Sequence, residues 1–134
     1  MTGTDYVQVR EVMTPSPIAI DGLATVDQAV DLMREKNVSS LVVDKRDESD
    51  EYGILAVHDV AEQVIGKDRS PERVSVYEIM SKPVLSVDIA MNVKYAVRLL
   101  TRFRLTRALV LQDGKVAGFV TLRDLVLRSM AKSQ

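Results

Sequence analysis

The amino-acid sequence predicts an α/β (α+β) fold made of two tandem βαββα repeats, and three internal matches predict it. Val9-Arg-Glu-Val-Met13 is echoed by Val76-Tyr-Glu-Ile-Met80, an offset of 67 residues from Met13 to Met80. The same offset carries Val26, Ala29, Val30 and Leu32 onto Val93, Ala96, Val97 and Leu99. Further on, Gly53-Ile-Leu-Ala-Val-His-Asp-Val60 matches Gly118-Phe-Val-Thr-Leu-Arg-Asp-Leu125 at an offset of 65, so the first copy holds two extra residues in between. Similarity at a fixed period marks a repeat architecture.

Each repeat reads in the same order. A short helical turn ends at Met13 or Met80, and prolines stop it. A short extended piece follows, Pro17 to Ile20 or Val84 to Val87. An amphipathic helix comes next. In the first repeat Thr25 and Gln28 have capping-box spacing, and Val26, Ala29, Val30 and Met33 share one face. In the second, Asn92 is the expected N-cap, and Val93, Ala96, Val97, Leu100 and Phe103 form the stripe. Two strands follow in each, Ser40 to Asp44 with Tyr52 to Val57, and Arg107 to Gln112 with Lys115 to Val120. Asp113-Gly114 is a tight-hairpin signal. The charged stretch Asp44 to Tyr52 reads as a lengthened, solvated hairpin loop. A last helix runs from about His58 to Gly66, and from about Leu122 to Met130. Ser70 to Arg73 reads as a linker, which places the repeats at 7–69 and 70–132. A unit of about sixty residues is marginal alone, which is a physical reason for the pair.

Composition narrows the function classes. The 134 residues carry 18 basic and 19 acidic side chains, a net charge of −1, so no general nucleic-acid or membrane surface is expected. There is no cysteine and one histidine, His58, which excludes disulfides and cysteine- or histidine-rich metal sites. The polar stretch Met1 to Arg10 lacks the layout of a signal peptide, and no apolar run reaches membrane-spanning length. A cytoplasmic location is the expectation. No Gly-x-Ser-x-Gly or Walker-type loop appears, so the protein is not expected to be an enzyme.

The motifs carry a resemblance. Val9 to Pro17, Val76 to Pro83 and Gly118 to Leu125, recurring in order over roughly Val7 to Met130, resemble the cystathionine β-synthase (CBS) domain, and the tandem resembles the Bateman module of two such domains. The resemblance implies two repeats packed about a pseudo-two-fold axis, with clefts that bind AMP, ADP, ATP, NAD or S-adenosylmethionine. It implies that the Asp of a Gly-x-x-Thr-x-x-Asp motif holds the ribose hydroxyls and that the Thr lies near ribose or phosphate. Here those positions are Thr121 and Asp124. In the first repeat Asp59 matches, but Ala56 stands where the Thr would be.

The expected nucleotide site is therefore Ser81, Lys82, Val84, Arg107, Thr121, Arg123 and Asp124. A weaker site would comprise Thr14, Pro17, Ile18, His58 and Asp59. The chemistry is reasonable in itself. A carboxylate accepts both hydroxyls of a ribose diol, and phosphates suit cations or the free amides of a helix start. Thr121-x-x-Asp124 is equally a capping pair, and the two roles are compatible. Arg98 and Arg102, four apart, read either as a solvated face or as part of a basic concentration with Arg104 and Arg107. Met13 and Met80 read as packing residues.

The expected function is a regulatory module that binds an adenine nucleotide as ligand, with no obligatory cofactor, and passes occupancy to an unidentified regulated protein through a change of conformation or dimer geometry. A homodimer through the helical faces is expected. The rival reading is an interaction protein with empty clefts, supported by Ala56. DNA binding is disfavoured by the balanced charge and the lack of a recognition-helix motif.

Overall fold

The computed structural model describes residues 6–15, 17–81 and 85–131. The chain divides into two compact units. One holds the described residues of 18–84, the other those of 1–17 together with 85–134. The repeats of the sequence and the compact units in space are thus different partitions of the chain.

The strands are β1 (Thr14–Pro15), β2 (Ala19–Ile20), β3 (Ser40–Val43), β4 (Gly53–Ala56), β5 (Ser86–Asp88), β6 (Arg107–Gln112) and β7 (Lys115–Thr121). The helices are α1 (Val26–Lys36), α2 (Val57–Val60), α3 (Val76–Ile79), α4 (Val93–Arg102) and α5 (Leu122–Ala131), preceded by a 3-10 turn at Val9–Glu11. The expected element order is present in both repeats.

In the unit of 18–84, β2 pairs parallel with β3, and β3 pairs antiparallel with β4, Leu41 opposite Leu55. Ser81 adds an antiparallel bridge to Ile54. The other unit repeats this plan. There β5 pairs parallel with β6, β6 antiparallel with β7, and β1 adds the fourth strand along β7. Asp113 and Gly114 both have positive φ, 53° and 79°, which a two-residue hairpin with the twist of its strands requires.

Local sequence explains the helices. Thr25 Oγ1 accepts from the Gln28 amide at 3.1 Å, and Gln28 Oε1 accepts from the Thr25 amide at 2.9 Å, closing the capping box. Asn92 Oδ1 caps α4 by accepting from the Lys94 amide at 2.9 Å. Asn37 ends α1 in the left-handed conformation, φ 55°, which asparagine tolerates. The helix expected from His58 to Gly66 is only partly α. After α2 the chain continues as a π-helix over Ala61–Ile65, and the Gly66 amide donates to the Ala61 carbonyl at 2.7 Å. The equivalent stretch of α5 stays α-helical.

Each unit buries its own aliphatic core. Val26, Ala29, Leu41, Val43, Leu55, Val64 and Val76 fill one. Val9, Val12, Val93, Ala96, Leu100, Val120 and Leu125 fill the other. The helical turn that opens each repeat packs in its own unit's core, among residues of the other repeat: Val9 and Val12 with the second repeat, Val76 and Ile79 with the first. Fully burying such a side chain is worth about 1.5–3 kcal/mol, so a few of them hold each turn in place. Among the described residues, no helix is long and apolar enough to cross a membrane.

Candidate functional site

In the second repeat the candidate residues gather where β7 ends and α5 begins. Thr121 is the last residue of β7, and Arg107 lies directly opposite it on β6. Thr121 Oγ1 accepts from the Asp124 amide at 3.1 Å, so the hydroxyl caps α5. The Asp124 carboxylate faces Arg128, whose Nε lies 3.5 Å from Oδ1. The Asp124 side chain is 17% exposed. It is sheltered but reachable.

Arg128 does a second thing. Its Nη1 donates to the carbonyls of Val12 at 3.1 Å and Met13 at 3.3 Å. Immediately after them Thr14 pairs with Phe119 on β7. Gly118 permits this approach, because a Cβ there would collide with the Thr14 carbonyl oxygen. One cluster therefore holds Thr14, Arg107, Thr121, Asp124 and Arg128.

The first repeat builds the same corner with other residues. Ser40 stands opposite Ala56, where the second repeat has Arg107 opposite Thr121. Ala56 has no hydroxyl, and Asp59 does the capping itself: its Oδ2 accepts from the Ala56 amide at 2.8 Å. Gln63 takes the place of Arg128 at the offset of 65. His58 is exposed, with Nε2 3.5 Å from Glu62 and Nδ1 4.0 Å from Asp59. The leading segment here is Ser81, whose amide donates to Ile54 at 2.9 Å and whose carbonyl accepts from the Ile54 amide at 3.1 Å.

The geometry regroups the expected residues. Thr14, expected with His58 and Asp59, pairs on β1 with Phe119 of β7, in the unit of Thr121 and Asp124. Ser81, expected with Thr121 and Asp124, bridges to Ile54 of β4, in the unit of Ala56 and Asp59. Each leading segment pairs with the edge of the sheet in the other repeat's unit. Pro17 falls in the unit of Asp124 and Ile18 in that of Asp59. The Ile18 carbonyl is taken by the Val42 amide at 2.9 Å. Lys82 and Val84 lie outside the described residues. Arg123 is exposed at the first turn of α5. The expected free amides there are mostly engaged, since Leu122 donates to Thr106 at 2.9 Å and Asp124 to Thr121. Arg128 was missed; its four-residue spacing from Asp124 was the available signal.

The model of the CBS domain family matches residues 9–66 and 76–130. The chain belongs to the CBS domain family. Among solved structures, a hexameric CBS-CP12 protein from bloom-forming cyanobacteria superposes with a TM-score of 0.84 at 37% identity, over 92% of this chain and 71% of that one. A putative signal-transduction protein with CBS domains from Burkholderia ambifaria gives 0.73 at 29% identity, over 90% and 87%. An uncharacterized protein of Methanopyrus kandleri is 33% identical over 122 residues, covering 87% of this chain and 57% of its own length. The chain spans about half the length of the first curated relatives it matches, between 44% and 60%. The paired βαββα repeats described above are thus tandem CBS domains.

Proposed function

We propose that this CBS pair is a regulatory, non-enzymatic module that binds one adenine nucleotide at the second repeat's corner. The observation that carries the reading is the set Arg107, Thr121, Asp124 and Arg128, against Ser40, Ala56, Asp59 and Gln63 in the first repeat. Only the second set combines cations with a carboxylate that faces an arginine, whereas the Asp59 carboxylate is taken by the Ala56 amide.

The Asp124 carboxylate accepts the ribose diol, and Thr121 lies beside it as a further hydroxyl. Arg107 and Arg123 supply the positive charge for phosphate, since the amides of the helix start are largely used. The backbone of Thr14 and the apolar ring of Pro15 provide one wall of the slot for the base. Arg128 bridges Asp124 to the Val12 and Met13 carbonyls, so a ligand engaging Asp124 bears on the leading segment as well. Occupancy shifts a conformational equilibrium by its differential affinity for the two states, and that shift is what a regulated partner reads. We place the protein in the cytoplasm.

We also propose self-association through the helical faces. Val57 and Ile65 in one unit, and Phe103, Val126, Leu127 and Met130 in the other, are large apolar side chains at least half exposed or nearly so, from 47% to 75%. The cyanobacterial CBS-CP12 relative is hexameric.

Calorimetric titration of the purified chain with AMP, ADP, ATP and NAD tests the nucleotide reading. One site per chain, lost on Asp124→Ala, is the expected result. No heat and no thermal shift with any of the four overturns it in favour of an interaction protein with empty corners.

A further inference from the structure

Repeat-equivalent positions on the two long helices carry opposite charge. On α1, Asp27, Asp31 and Glu35 follow one another at four-residue spacing. The offset of 67 carries them onto Lys94, Arg98 and Arg102 of α4. Asp31, Glu35 and the three cations are exposed, and Asp27 is partly so. Residues four apart lie along one side of a helix, so each helix bears a single-sign stripe.

Each stripe flanks an apolar surface. Beside the acidic one, α1 and the helix after β4 enclose a groove of about 360 Å³, lined by Val30, Met33, Val57, Val60 and Ile65, with Arg34 at its edge. The acidic stripe sits about a quarter turn round α1 from that lining. The corresponding positions of the second repeat include Leu105, Val126 and Met130, which are 39%, 47% and 58% exposed. The apolar faces match, and the rims beside them are opposite in sign.

We infer that the partner of each face is the other repeat's face on a second copy of this chain, so that the protein associates head to tail. The α1 stripe of one copy would meet the α4 stripe of the other. In a two-fold dimer the same contact then occurs twice. Head-to-head association would set Asp27, Asp31 and Glu35 against their own copies, and Lys94, Arg98 and Arg102 against theirs. Like charges across an interface are strongly disfavoured, and electrostatic complementarity fixes register more than it adds affinity. The internal pairing of Arg34 with Asp31 at 3.0 Å does not remove this preference, since both are well exposed and such pairs are weak. The cations of α4 are held over Tyr95, Lys94 at 5.3 Å and Arg98 at 5.5 Å, which keeps the stripe in place. This inference rests on the self-association proposed above and adds its direction.

The chain has no cysteine, so single thiols report contacts cleanly. Arg34 and Thr101 are equivalent, exposed and outside the stripes. Arg34→Cys and Thr101→Cys proteins are mixed, allowed to exchange subunits, and treated with a short bis-maleimide. Mixed 34–101 dimers should exceed 34–34 and 101–101 dimers by at least about tenfold. A predominance of 34–34 and 101–101 links overturns the head-to-tail direction while leaving self-association intact. A wild-type chain that light scattering finds monomeric overturns self-association itself. As a second test, Asp31→Arg with Glu35→Arg should weaken the dimer by at least about tenfold. Adding Arg98→Glu and Arg102→Glu to that protein should restore it. A fourfold variant as weak as the double variant overturns the inference.

Discussion

Asp59 accepts a hydrogen bond from the amide of Ala56 at 2.8 Å, and this contact separates the two repeats. In the second repeat Thr121 caps the helix, and Asp124 keeps its carboxylate for Arg128. The two equivalent aspartates are thus engaged differently, Asp59 by a backbone amide and Asp124 by an arginine.

That division predicts opposite effects for two equivalent substitutions. Asp124→Ala should lower nucleotide affinity by about ten- to a hundredfold, the range expected for losing hydrogen bonds to a charged acceptor. Asp59→Ala should leave affinity nearly unchanged but cost about 1 kcal/mol of stability as a lost cap. Thr121→Ala should cost a similar amount for the same reason. Calorimetric titration and denaturant unfolding of the three variants check this together. Equal loss of affinity in Asp59→Ala and Asp124→Ala would show that both corners bind.

The repeated glycines predict a graded response. An added Cβ at Gly118 meets the carbonyl of Thr14, a backbone atom fixed in the β1–β7 ladder. At Gly53 the nearest atom is Met80 Sδ at 2.7 Å, on a flexible side chain that can move aside. Gly118→Ala should therefore cost about 2–3 kcal/mol by overpacking, and Gly53→Ala about 1 kcal/mol. Thermal unfolding gives the order, and the reverse order would contradict the account.

Much of this architecture was legible because it is written locally. Thr25 with Gln28, Asn92, and Asp113-Gly114 each specify a cap or turn within a few residues, and all three form as read. The family and the paired repeats were legible for the same reason, since the motifs recur in order. The pairing of each leading segment with the other repeat's sheet was not. Thr14 pairs with Phe119 and Ser81 with Ile54, and periodicity carries no information about which sheet edge a short strand joins. The recurring Gly53 and Gly118 mark where the backbone must approach closely, but not which segment approaches. Arg128 was hidden by its double role, because its contacts to Val12 and Met13 span more than a hundred residues. The acidic and basic stripes were visible only as separate charges until the repeat offset superposed them.

Arg128 yields a further prediction. Its guanidinium ties the Val12 and Met13 carbonyls to α5 and faces Asp124. Arg128→Met keeps much of the aliphatic stem and removes the donors. It should cost about 1–2 kcal/mol, allowing for part exposure of these bonds. Hydrogen exchange should quicken at the amides of the β1–β7 pair and stay unchanged in β3 and β4. Uniform quickening in both units would mean that Arg128 acts through global stability and has no specific hold on the leading segment.

The glutamates that recur in the two opening turns predict a pH effect. Glu78 Oε2 accepts from the Ser75 amide at 2.7 Å, and Oε1 lies 3.1 Å from Arg69 Nη2. The Ser75 amide chiefly, with the Ser75 hydroxyl and Arg69, holds the Glu78 carboxyl below its ordinary value. Glu11 makes the same reach-back to the Gln8 amide at 2.8 Å, so the recurring Glu has a structural role as a cap. A carboxyl whose folded value is depressed binds its proton less readily in the folded state. Its contribution is complete above the unfolded value and disappears as pH falls through the folded one. Glu78→Gln should therefore be less stable than wild type at neutral pH. The gap should close as pH drops from the ordinary glutamate range into the more acidic, depressed one. Unfolding midpoints of the two proteins at a series of pH values measure it, and a gap that stays constant down to strongly acidic pH would place the effect of Glu78 in packing and not in its charge.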